Sequence, residues 1–341
     1  MQPTTIGLDL AKLVFQVHGV AADGEVLFRR KLRRSEVIEF FRDLKPCLVG
    51  IEACASAHHW ARELSGLGHT VRLMPATYVK PYARRGKSDV IDAEAICEPV
   101  TRPTMRFVEI KNVEQQSIIM LHRTRDLMVR QRTMLANALR RHLAEFDIMS
   151  AKGVWRLPDL VETATSAPVC QLPDLARECV ELIVAQVEDL ERRIARIDRS
   201  ILAWHRKSEV SRRLETIPGI GVISATAIAA VVSDANVFKS GRQFAAWIGL
   251  TPRLNGTGGK VQLGHITKAG DRNLRRLLVL GATSLVNYAR RKPEQAPWIV
   301  GLLARRPVRV VTVAIANKMA RTAWALLSRG GEYRRPSMAA A

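Results

Sequence analysis

The sequence predicts an α/β N-terminal domain, a middle segment of long helices, and a mainly helical C-terminal domain. Three observations predict this organisation. Short β-rich runs alternate with helical stretches up to about residue 110, residues 113–146 contain no Gly or Pro, and a glycine turn between two apolar helices begins near Leu214. We place the three parts at residues 1–110, 111–210 and 211–335.

The N-terminal domain is predicted to contain a mixed sheet with helices packed on it. A turn that ends in Gly separates the second and third β-rich runs, which is typical of a hairpin. The predicted strands lie at 4–8, 13–20, 25–32, 47–54 and 69–76, and the predicted helices at 36–44 and 57–67. The first three strands can form a meander, and the later ones alternate with helix.

The middle segment is predicted to hold two long helices joined by a Gly- and Pro-containing connector at 147–173. Apolar residues of the second helix recur at alternating spacings of three and four, at Val180, Ile183, Val187, Leu190, Ile194, Ile197, Ile201 and Trp204. Such a heptad seam pairs with another helix. Two partners remain open: the 113–146 helix of the same chain, or a second subunit in a coiled coil.

The C-terminal domain opens with the turn PGIG between two helices. Free backbone N–H groups at the start of the second helix would bind phosphate, which makes Gly219 and Gly221 candidate nucleic-acid contacts. An ordinary helical hairpin is the alternative. Residues 255–260, NGTGGK, are predicted to be a flexible loop ahead of a basic helix.

The charge of the chain points to a polyanion as its partner. Lys and Arg number 53 against 32 Asp and Glu, a formal charge of +21. Residues 252–335 hold 17 of the basic and 3 of the acidic residues. We therefore expect nucleic acid to bind mainly to the C-terminal part.

Cysteine spacing and hydropathy argue against several classes of protein. The five cysteines form no CxxC pair, which argues against structural zinc and against a disulfide framework. Asp9 and Lys12 interrupt the first apolar run, and no uncharged apolar run reaches the roughly 18 residues that span a bilayer. We expect a cytoplasmic protein with no membrane contact.

Four acidic residues stand out in this basic chain. Asp9 and Glu52 end apolar strands, where a carboxylate is costly unless a cation meets it. Asp89 and Asp92, in KSDVIDAE, are close to one helical turn apart. Together they could hold two Mg²⁺ or Mn²⁺ ions roughly 3.5–4 Å apart and clamp a phosphodiester. The alternative for the aspartate pair is helix capping.

These residues lie in motifs that resemble the DEDD-type transposases of insertion sequences, relatives of the Piv DNA invertases. The resemblance covers nearly the whole chain. Its motifs, in order, are GLDLAK, GIEACASAHHW, KSDVIDAEAI, IPGIG, FAAWIGLTPR, GGK and ITKAGDRNLRRLL.

The resemblance implies an RNase H-like, RuvC-like N-terminal domain with a four-acid metal site, joined by a coiled-coil segment to a C-terminal transposase domain. It also implies a nucleophilic serine that joins covalently to DNA, and a structured non-coding bridge RNA that pairs with donor and target DNA. The acids and the hydroxyl would form a composite site in a dimer or tetramer. The resemblance further implies a bacterial cytoplasmic protein that is associated with the nucleoid when it acts.

The chain departs from the family where the serine is expected. Gly256 stands in that register, and Thr257 is the neighbouring hydroxyl. Three interpretations remain open: Thr257 is the nucleophile, the protein is impaired, or Thr267 serves instead. The basic residues expected to contact nucleic acid are Arg253, Lys260, Lys268, Arg272, Arg275 and Arg276.

Other polar and aromatic residues point less clearly to function. His58 and His59 follow Glu52 and could touch the metal site, but a surface pair at a helix start is the favoured interpretation. Tryptophans such as Trp60, Trp247 and Trp298 are predicted to be core residues rather than platforms for bases.

The favoured hypothesis is an RNA-guided transposase that cuts and exchanges DNA strands. Two rivals share some of its features: a metal-dependent Holliday-junction nuclease that uses water, and a non-catalytic nucleic-acid-binding scaffold. The scaffold does not explain carboxylates placed within apolar strands.

Overall fold

The computed structural model describes residues 2–83, 89–151, 153–165, 172–258 and 260–334. The chain divides into two compact units, residues 1–114 and 115–341. No described helix is long and apolar enough to cross a membrane.

A five-stranded mixed sheet forms the centre of the N-terminal unit. Its strands are β1 (Thr5–Asp9), β2 (Val14–Val20), β3 (Val26–Arg33), β4 (Leu48–Glu52) and β5 (Thr70–Met74). They lie in the order β3-β2-β1-β4-β5, with β1, β2 and β3 antiparallel and β1, β4 and β5 parallel. The predicted meander followed by alternating helix and strand is confirmed, and the arrangement is compatible with an RNase H-like domain.

Helices cover both faces of this sheet. They are α1 (Val37–Arg42), α2 (Ala57–Gly66), the short α3 (Ala76–Val79) and α4 (Asp89–Cys97), with 3-10 turns at Lys80–Tyr82 and Pro99–Thr101. Leu8, Phe15 and Ile51 are fully buried in the core that contains residues of α1 and α2. On α4, Ala95 and Ile96 belong to a smaller apolar cluster with Met74.

Two strand glycines allow α4 to lie directly on the sheet. Gly7 of β1 pairs with Gly50 of β4. A Cβ atom at Gly7 would lie 2.9 Å from the amide nitrogen of Cys97 and would collide with the carbonyl oxygen of Ala93. A Cβ atom at Gly50 would lie 3.1 Å from Ile96. The absence of side chains at both positions therefore fixes the distance between α4 and the sheet.

The remainder of the chain is mostly helical. Its helices are α5 (Val113–Ala144), α6 (Leu157–Thr165), α7 (Asp174–Lys207), α8 (Glu209–Glu215), α9 (Val222–Val231), α10 (Gly241–Ile248), α11 (Arg272–Arg291), α12 (Pro297–Leu303) and α13 (Val308–Arg329). Further 3-10 turns lie at Val154–Arg156 and Pro293–Gln295. Helices α8 to α13 enclose one apolar core that includes Phe244, Leu278 and Ile315.

The heptad seam of α7 packs within the chain. Val180 and Val187 share a buried cluster with Leu139 and Leu143 of α5. Ion pairs link the same two helices, from Arg125 to Asp198 at 2.5 Å and from Arg132 to Glu191 at 3.5 Å. The intrachain partner is therefore the one observed, while a coiled coil between subunits stays a prediction.

A buried histidine ties α5 to the C-terminal core. His122 of α5 lies 3.0 Å from the hydroxyl of Thr226 in α9. Burial and the nearby charge of Arg125 lower the pKa of His122 to about 4. The imidazole is therefore neutral at physiological pH and acts as a hydrogen-bonding residue of the core.

The stretch NGTGGK forms a β-hairpin, so the loop prediction is wrong. Strand β6 (Pro252–Thr257) pairs antiparallel with β7 (Lys260–Ile266), and Thr257 lies opposite Lys260. Gly258 has φ +58°, as a two-residue hairpin turn requires. Gly258 therefore provides the positive φ that this hairpin needs, while Gly259 lies outside the described residues.

Replacing Gly7 tests whether the contact between α4 and the sheet limits stability. The Gly7→Ala substitution should lower the free energy of unfolding by about 1–3 kcal/mol or more, because the added methyl forces α4 off the sheet. Gly66→Ala is the matched control, since a Cβ atom there meets nothing within 4 Å. Urea unfolding of both variants measures the difference, and equal stability of the two would contradict this packing account.

Candidate active site

Two of the predicted acids lie next to each other at the ends of neighbouring strands. Asp9 is the last residue of β1 and Glu52 the last residue of β4, and these strands are parallel neighbours in register from Thr5 with Leu48 to Leu8 with Ile51. Both carboxylates therefore lie at the same edge of the sheet, and both are half-buried.

The same two acids also lie on one face of the sheet. Alternate residues of a strand point to the same side, so Asp9 shares a face with Gly7 and Glu52 shares a face with Gly50. That face is the one covered by α4. The two acids therefore lie on the side of the sheet from which α4 supplies the remaining acids.

The third acid, Asp92, reaches this position from α4. It lies one helical turn before Ile96, whose side chain packs at Gly50. Burial, and then the negative charge of Asp92, raise the pKa of Glu52 above its ordinary value. The half-buried Asp92 is therefore close enough to Glu52 for their charges to interact.

The pKa of a nearby cysteine is affected by two of the same acids. Cys54 follows Glu52 by two residues, and its pKa is raised by burial and then by the charges of Glu52 and Asp9. Electrostatic coupling thus links Asp9, Glu52 and Asp92 to one neighbourhood, although they are far apart in sequence. The sequence analysis did not include Cys54 in this neighbourhood.

The fourth acid is described only through its backbone. Asp89 is the first residue of α4, and its side chain lies outside the described part of the structure. Ser88 also lies outside it, so the capping alternative for Ser88 or Asp89 cannot be compared with the fold. The backbone places Asp89 three residues before Asp92, at the helix end.

The donor set fits a hard divalent cation by its chemistry. Across the described side chains, no group of three or more His, Cys, Asp and Glu is arranged closely enough to hold a metal ion. The fit rests instead on the chemistry of the carboxylates of Asp9 and Glu52, which end neighbouring strands, and of Asp92, whose charge acts on Glu52. Carboxylate oxygens suit Mg²⁺ and Mn²⁺, and a divalent charge would offset both the burial and the repulsion by Asp92 that raise the pKa of Glu52.

The two histidines near Glu52 make local contacts. Nδ1 of His58 accepts a hydrogen bond from the backbone N–H of Lys111 at 3.2 Å. His59 is exposed and lies 3.8 Å from Glu63, one turn along α2. These contacts agree with a role at the start of the helix.

The glycines before the acids were the signal that sequence reasoning missed. Each strand acid follows a glycine by two residues, in GLD and GIE. The spacing puts the small residue and the carboxylate on one face, so the helix that covers the glycines must also lie beside the acids.

The candidate nucleophile lies at the tip of the β6–β7 hairpin. Thr257 is exposed, and Lys260 is its cross-strand partner, so their side chains project on the same face of the hairpin. Thr267 differs, because it is half-buried and its hydroxyl accepts a hydrogen bond from the N–H of Ala269 at 3.4 Å.

Two of the arginines predicted to contact nucleic acid bind other residues of the protein. Arg275 donates from one guanidinium nitrogen to the carbonyls of Ile248 and Ala269, both at 2.7 Å. Arg276 forms an ion pair with Asp126 at 2.6 Å. Both arginines therefore hold α11 in place, whether or not they also meet a phosphate.

The remaining predicted basic contacts differ in how firmly they are held. Arg253 donates to the carbonyl of Thr267 at 3.4 Å. Lys268 is exposed and has φ +56°, in the left-handed region. Arg272 is the first residue of α11.

The glycine turn before α9 is a packing device. Gly219 has φ +84°, and its carbonyl oxygen packs against Gly281 of α11 so closely that a Cβ atom on Gly281 would collide with it. Gly221 is the N-cap of α9, and nothing lies within 4 Å of a Cβ built on it. Phosphate binding at this turn therefore stays a prediction for Gly221 and its neighbours.

Neutralising Glu52 should stabilise the metal-free protein at neutral pH. Because the folded-state pKa of Glu52 is raised, the unfolded chain loses this proton at lower pH, and folding becomes less favourable as pH rises through the interval between the two values. Glu52→Gln should therefore have a higher Tm than the parent in EDTA at pH 7. The difference should vanish well below pH 4, where both states are protonated.

Glu25→Gln is the matched control, because Glu25 is exposed in the turn before β3. Its Tm should follow that of the parent at both pH values. A Glu52→Gln protein that is less stable than the parent at pH 7 would show that this carboxylate is held by favourable contacts.

Comparison with known proteins gives the family. Residues 6–147 match a family model for the DEDD transposases of IS110, described as "Transposase", and residues 211–296 match the "Transposase IS116/IS110/IS902 family". The chain is 49% identical over 336 residues to the "Probable family 20 transposase" of Pseudomonas aeruginosa, covering 98% of this chain and 99% of that protein.

Two further relatives carry the names of insertion sequences. The chain is 39% identical to the "Transposase for insertion sequence element IS1328" of Yersinia enterocolitica, over 96% of this chain and 97% of that one. It is 34% identical to the "Transposase for insertion sequence element IS1111A" of Coxiella burnetii, over 96% and 91%. The chain therefore belongs to the IS110 family of DEDD transposases and is a DNA transposase.

Proposed function

We propose that this transposase is an RNA-guided DNA recombinase that holds Mg²⁺ with Asp9, Glu52, Asp89 and Asp92 and attacks DNA with Thr257. One observation carries the proposal: acids from three separate elements share one face and one edge of the N-terminal sheet. A protein that only binds nucleic acid has no need to concentrate negative charge there.

Membership of the family implies DNA substrates and a divalent metal. We take the metal to be Mg²⁺, with Mn²⁺ able to replace it, because all four proposed ligands are carboxylates. When bound, the metal supplies Lewis-acid polarisation of the scissile phosphate. The role of the four acids is to hold it at the sheet edge.

The proposed chemistry exchanges phosphodiester bonds without hydrolysis. Oγ1 of Thr257 forms a bond to the phosphorus, the bond from phosphorus to the leaving DNA oxygen breaks, and that oxygen takes up a proton. The proton of the threonine hydroxyl passes to solvent. A hydroxyl of another strand then attacks the phosphothreonine and gives its proton to solvent. The bond from phosphorus to Oγ1 breaks, Oγ1 takes up a proton to restore the threonine, and the new strand is joined.

The hairpin supports Thr257 in this role. Its hydroxyl is exposed at the tip, and Lys260 lies directly across the hairpin, where its ammonium can neutralise a phosphate. Thr267 is the weaker candidate because its hydroxyl already serves the backbone of Ala269.

Charge supports a guide RNA as the sequence-reading partner. Residues 252–335 carry a large excess of basic residues, and backbone phosphate contacts hold a nucleic acid without reading its sequence. Sequence choice in the recombinase is then delegated to base pairing between a structured bridge RNA and the donor and target DNA.

The hairpin also supports assembly into a dimer or tetramer. Leu254 and Leu263 are a cross-strand pair, exposed by 72% and 71%. A two-stranded hairpin is marginally stable when it is not packed against other elements. Burial of this apolar pair against another subunit would stabilise the hairpin that carries Thr257.

Trapping a covalent intermediate tests the nucleophile. The protein is incubated with end-labelled donor and target DNA, the bridge RNA from the flank of its element, and Mg²⁺, and the products are separated on denaturing gels. A protein-linked DNA band should form with the parent and with Thr257→Ser, and should be absent with Thr257→Ala. Thr267→Ala is the control variant and should form the band.

Asp92→Asn should lose at least about 100-fold in the rate of adduct formation, because it removes one metal ligand. Adduct formation by Thr257→Ala would exclude Thr257 as the nucleophile. Free strand ends without any adduct in the parent would identify hydrolysis and support a junction nuclease instead.

A further inference from the structure

A basic groove lies in the C-terminal unit, and the described residues that line it belong neither to β6 and β7 nor to the glycine turn. It has a volume of about 740 Å³ and is lined by residues of α10, α12 and α13. We call it the α13 groove. Its cations are Arg242, Lys318, Arg321 and Arg329, and no carboxylate is among the described residues that line it.

The cations of the α13 groove are not neutralised. Within the described ranges, none of the four has a carboxylate at ion-pair distance. Other arginines of the same unit do have one, such as Arg213 with Glu209 and Arg276 with Asp126, both at 2.6 Å. A cluster of like charges that is left without counter-charge costs free energy, which an anionic ligand would recover.

Spacing puts several of these charges on one wall. Lys318 and Arg321 are three residues apart on α13, close to one helical turn, and both are exposed. Ala314 and Ala325 lie on the same wall, so their small side chains leave room between the cations. A chain of phosphates can therefore lie along the helix.

The groove also contains an exposed aromatic surface. Trp298, predicted to be a core residue, is 47% exposed, so that prediction is wrong. The ammonium of Lys318 lies over its ring, 4.0 Å from the centre, in a cation–π contact that a base stacking on this face would replace. A tryptophan beside cations is the combination that stacks a nucleic-acid base while the cations hold its phosphates.

The second tryptophan of the groove is fixed by a hydrogen bond. The indole N–H of Trp324 donates to the carbonyl of Ala235 at 3.0 Å, and Arg329 lies 5.8 Å from its ring. Trp324 therefore holds the wall in place, and Trp298 offers the more exposed face. Ser240 and Gly241 bring the positive end of α10 to the same groove.

We propose that the α13 groove binds a single-stranded stretch of nucleic acid, with one unpaired base on Trp298 and its phosphates on Lys318, Arg321 and their neighbours. A base within a duplex is already stacked on both sides, so an exposed indole selects an unpaired one. The inference rests on the proposed function in one respect: both place nucleic acid on the C-terminal unit. An unpaired RNA segment and a displaced DNA strand share the chemistry required.

The test measures binding by fluorescence anisotropy in EDTA, so that no cleavage takes place. The probes are 12-nucleotide single-stranded DNA, RNA of the same sequence, the corresponding DNA duplex, and a single strand without bases. Trp298→Ala should weaken binding of the single strands by about 5- to 100-fold, and Trp298→Phe by much less. Duplex and baseless strands should bind both variants as they bind the parent.

The charge contribution is measured separately. Replacing Lys318 and Arg321 together by Gln should reduce the slope of log K against log salt by about 1.4 for single strands, as expected for two lost phosphate contacts. The matched controls are Trp155→Ala and Arg199→Ala, both at exposed positions outside the groove. Neither control should change single-strand binding by more than about twofold.

An equal loss of duplex and single-strand binding in Trp298→Ala, or no loss of either, would overturn the proposal. Tighter binding of RNA than of DNA would assign the groove to an unpaired RNA segment, and the reverse would assign it to a displaced DNA strand. Both results support the proposal.

Failure of groove binding and failure of the proposed recombination can be told apart. Asp92→Asn should keep single-strand binding that depends on Trp298, since the acids belong to the other unit. Binding that depends on Trp298 in a parent protein that forms no covalent adduct would support the groove and contradict the recombination mechanism. Adduct formation without binding that depends on Trp298 would support the recombination mechanism and contradict the groove proposal.

Discussion

The packing of α4 on two strand glycines is the constraint on which the candidate active site depends. Gly7 and Gly50 lie side by side in the sheet, and α4 together with the 3-10 turn after it approaches so closely that neither position has room for a methyl group. The helix brings Asp92 to the strand ends where Asp9 and Glu52 lie. Packing therefore concentrates the negative charge, at a cost that is visible in the raised pKa of Glu52.

That cost is consistent with a site built for a cation. Carboxylates brought together by packing repel each other and destabilise the fold, unless a positive charge joins them. A divalent ion is the natural counter-charge for acids that must also bring phosphate oxygens close to them.

Much of the N-terminal fold was predictable because its signals are local. Apolar runs bounded by turns gave all five strands close to their observed limits, and the acids at the ends of β1 and β4 were recognisable as costly. The spatial relation of Asp92 to Glu52 was less accessible, since it depends on where α4 crosses the sheet. The glycine two residues before each strand acid holds that information, but only once the helix is known to lie on that face.

Predictions failed where one residue type is compatible with two different structures. The glycines of NGTGGK favour a flexible loop and a tight hairpin turn equally well, and the pairing of Thr257 with Lys260 decided between them. Trp298 was assigned to the core from its residue type, although half its surface is exposed in the α13 groove. A basic residue in the sequence also does not reveal whether it binds nucleic acid or the protein, and Arg275 and Arg276 both bind other residues of this chain.

Electron paramagnetic resonance of Mn²⁺ tests the central claim, that the acids at the sheet edge form one metal site. Titration of the metal-free protein counts bound ions by the loss of the free-ion signal. We predict bound Mn²⁺ in the parent and in Asp43→Asn, an exposed control at the end of α1, with affinity at least about 10-fold weaker in Asp9→Asn and in Asp92→Asn. Equal Mn²⁺ affinity in all four proteins would contradict it.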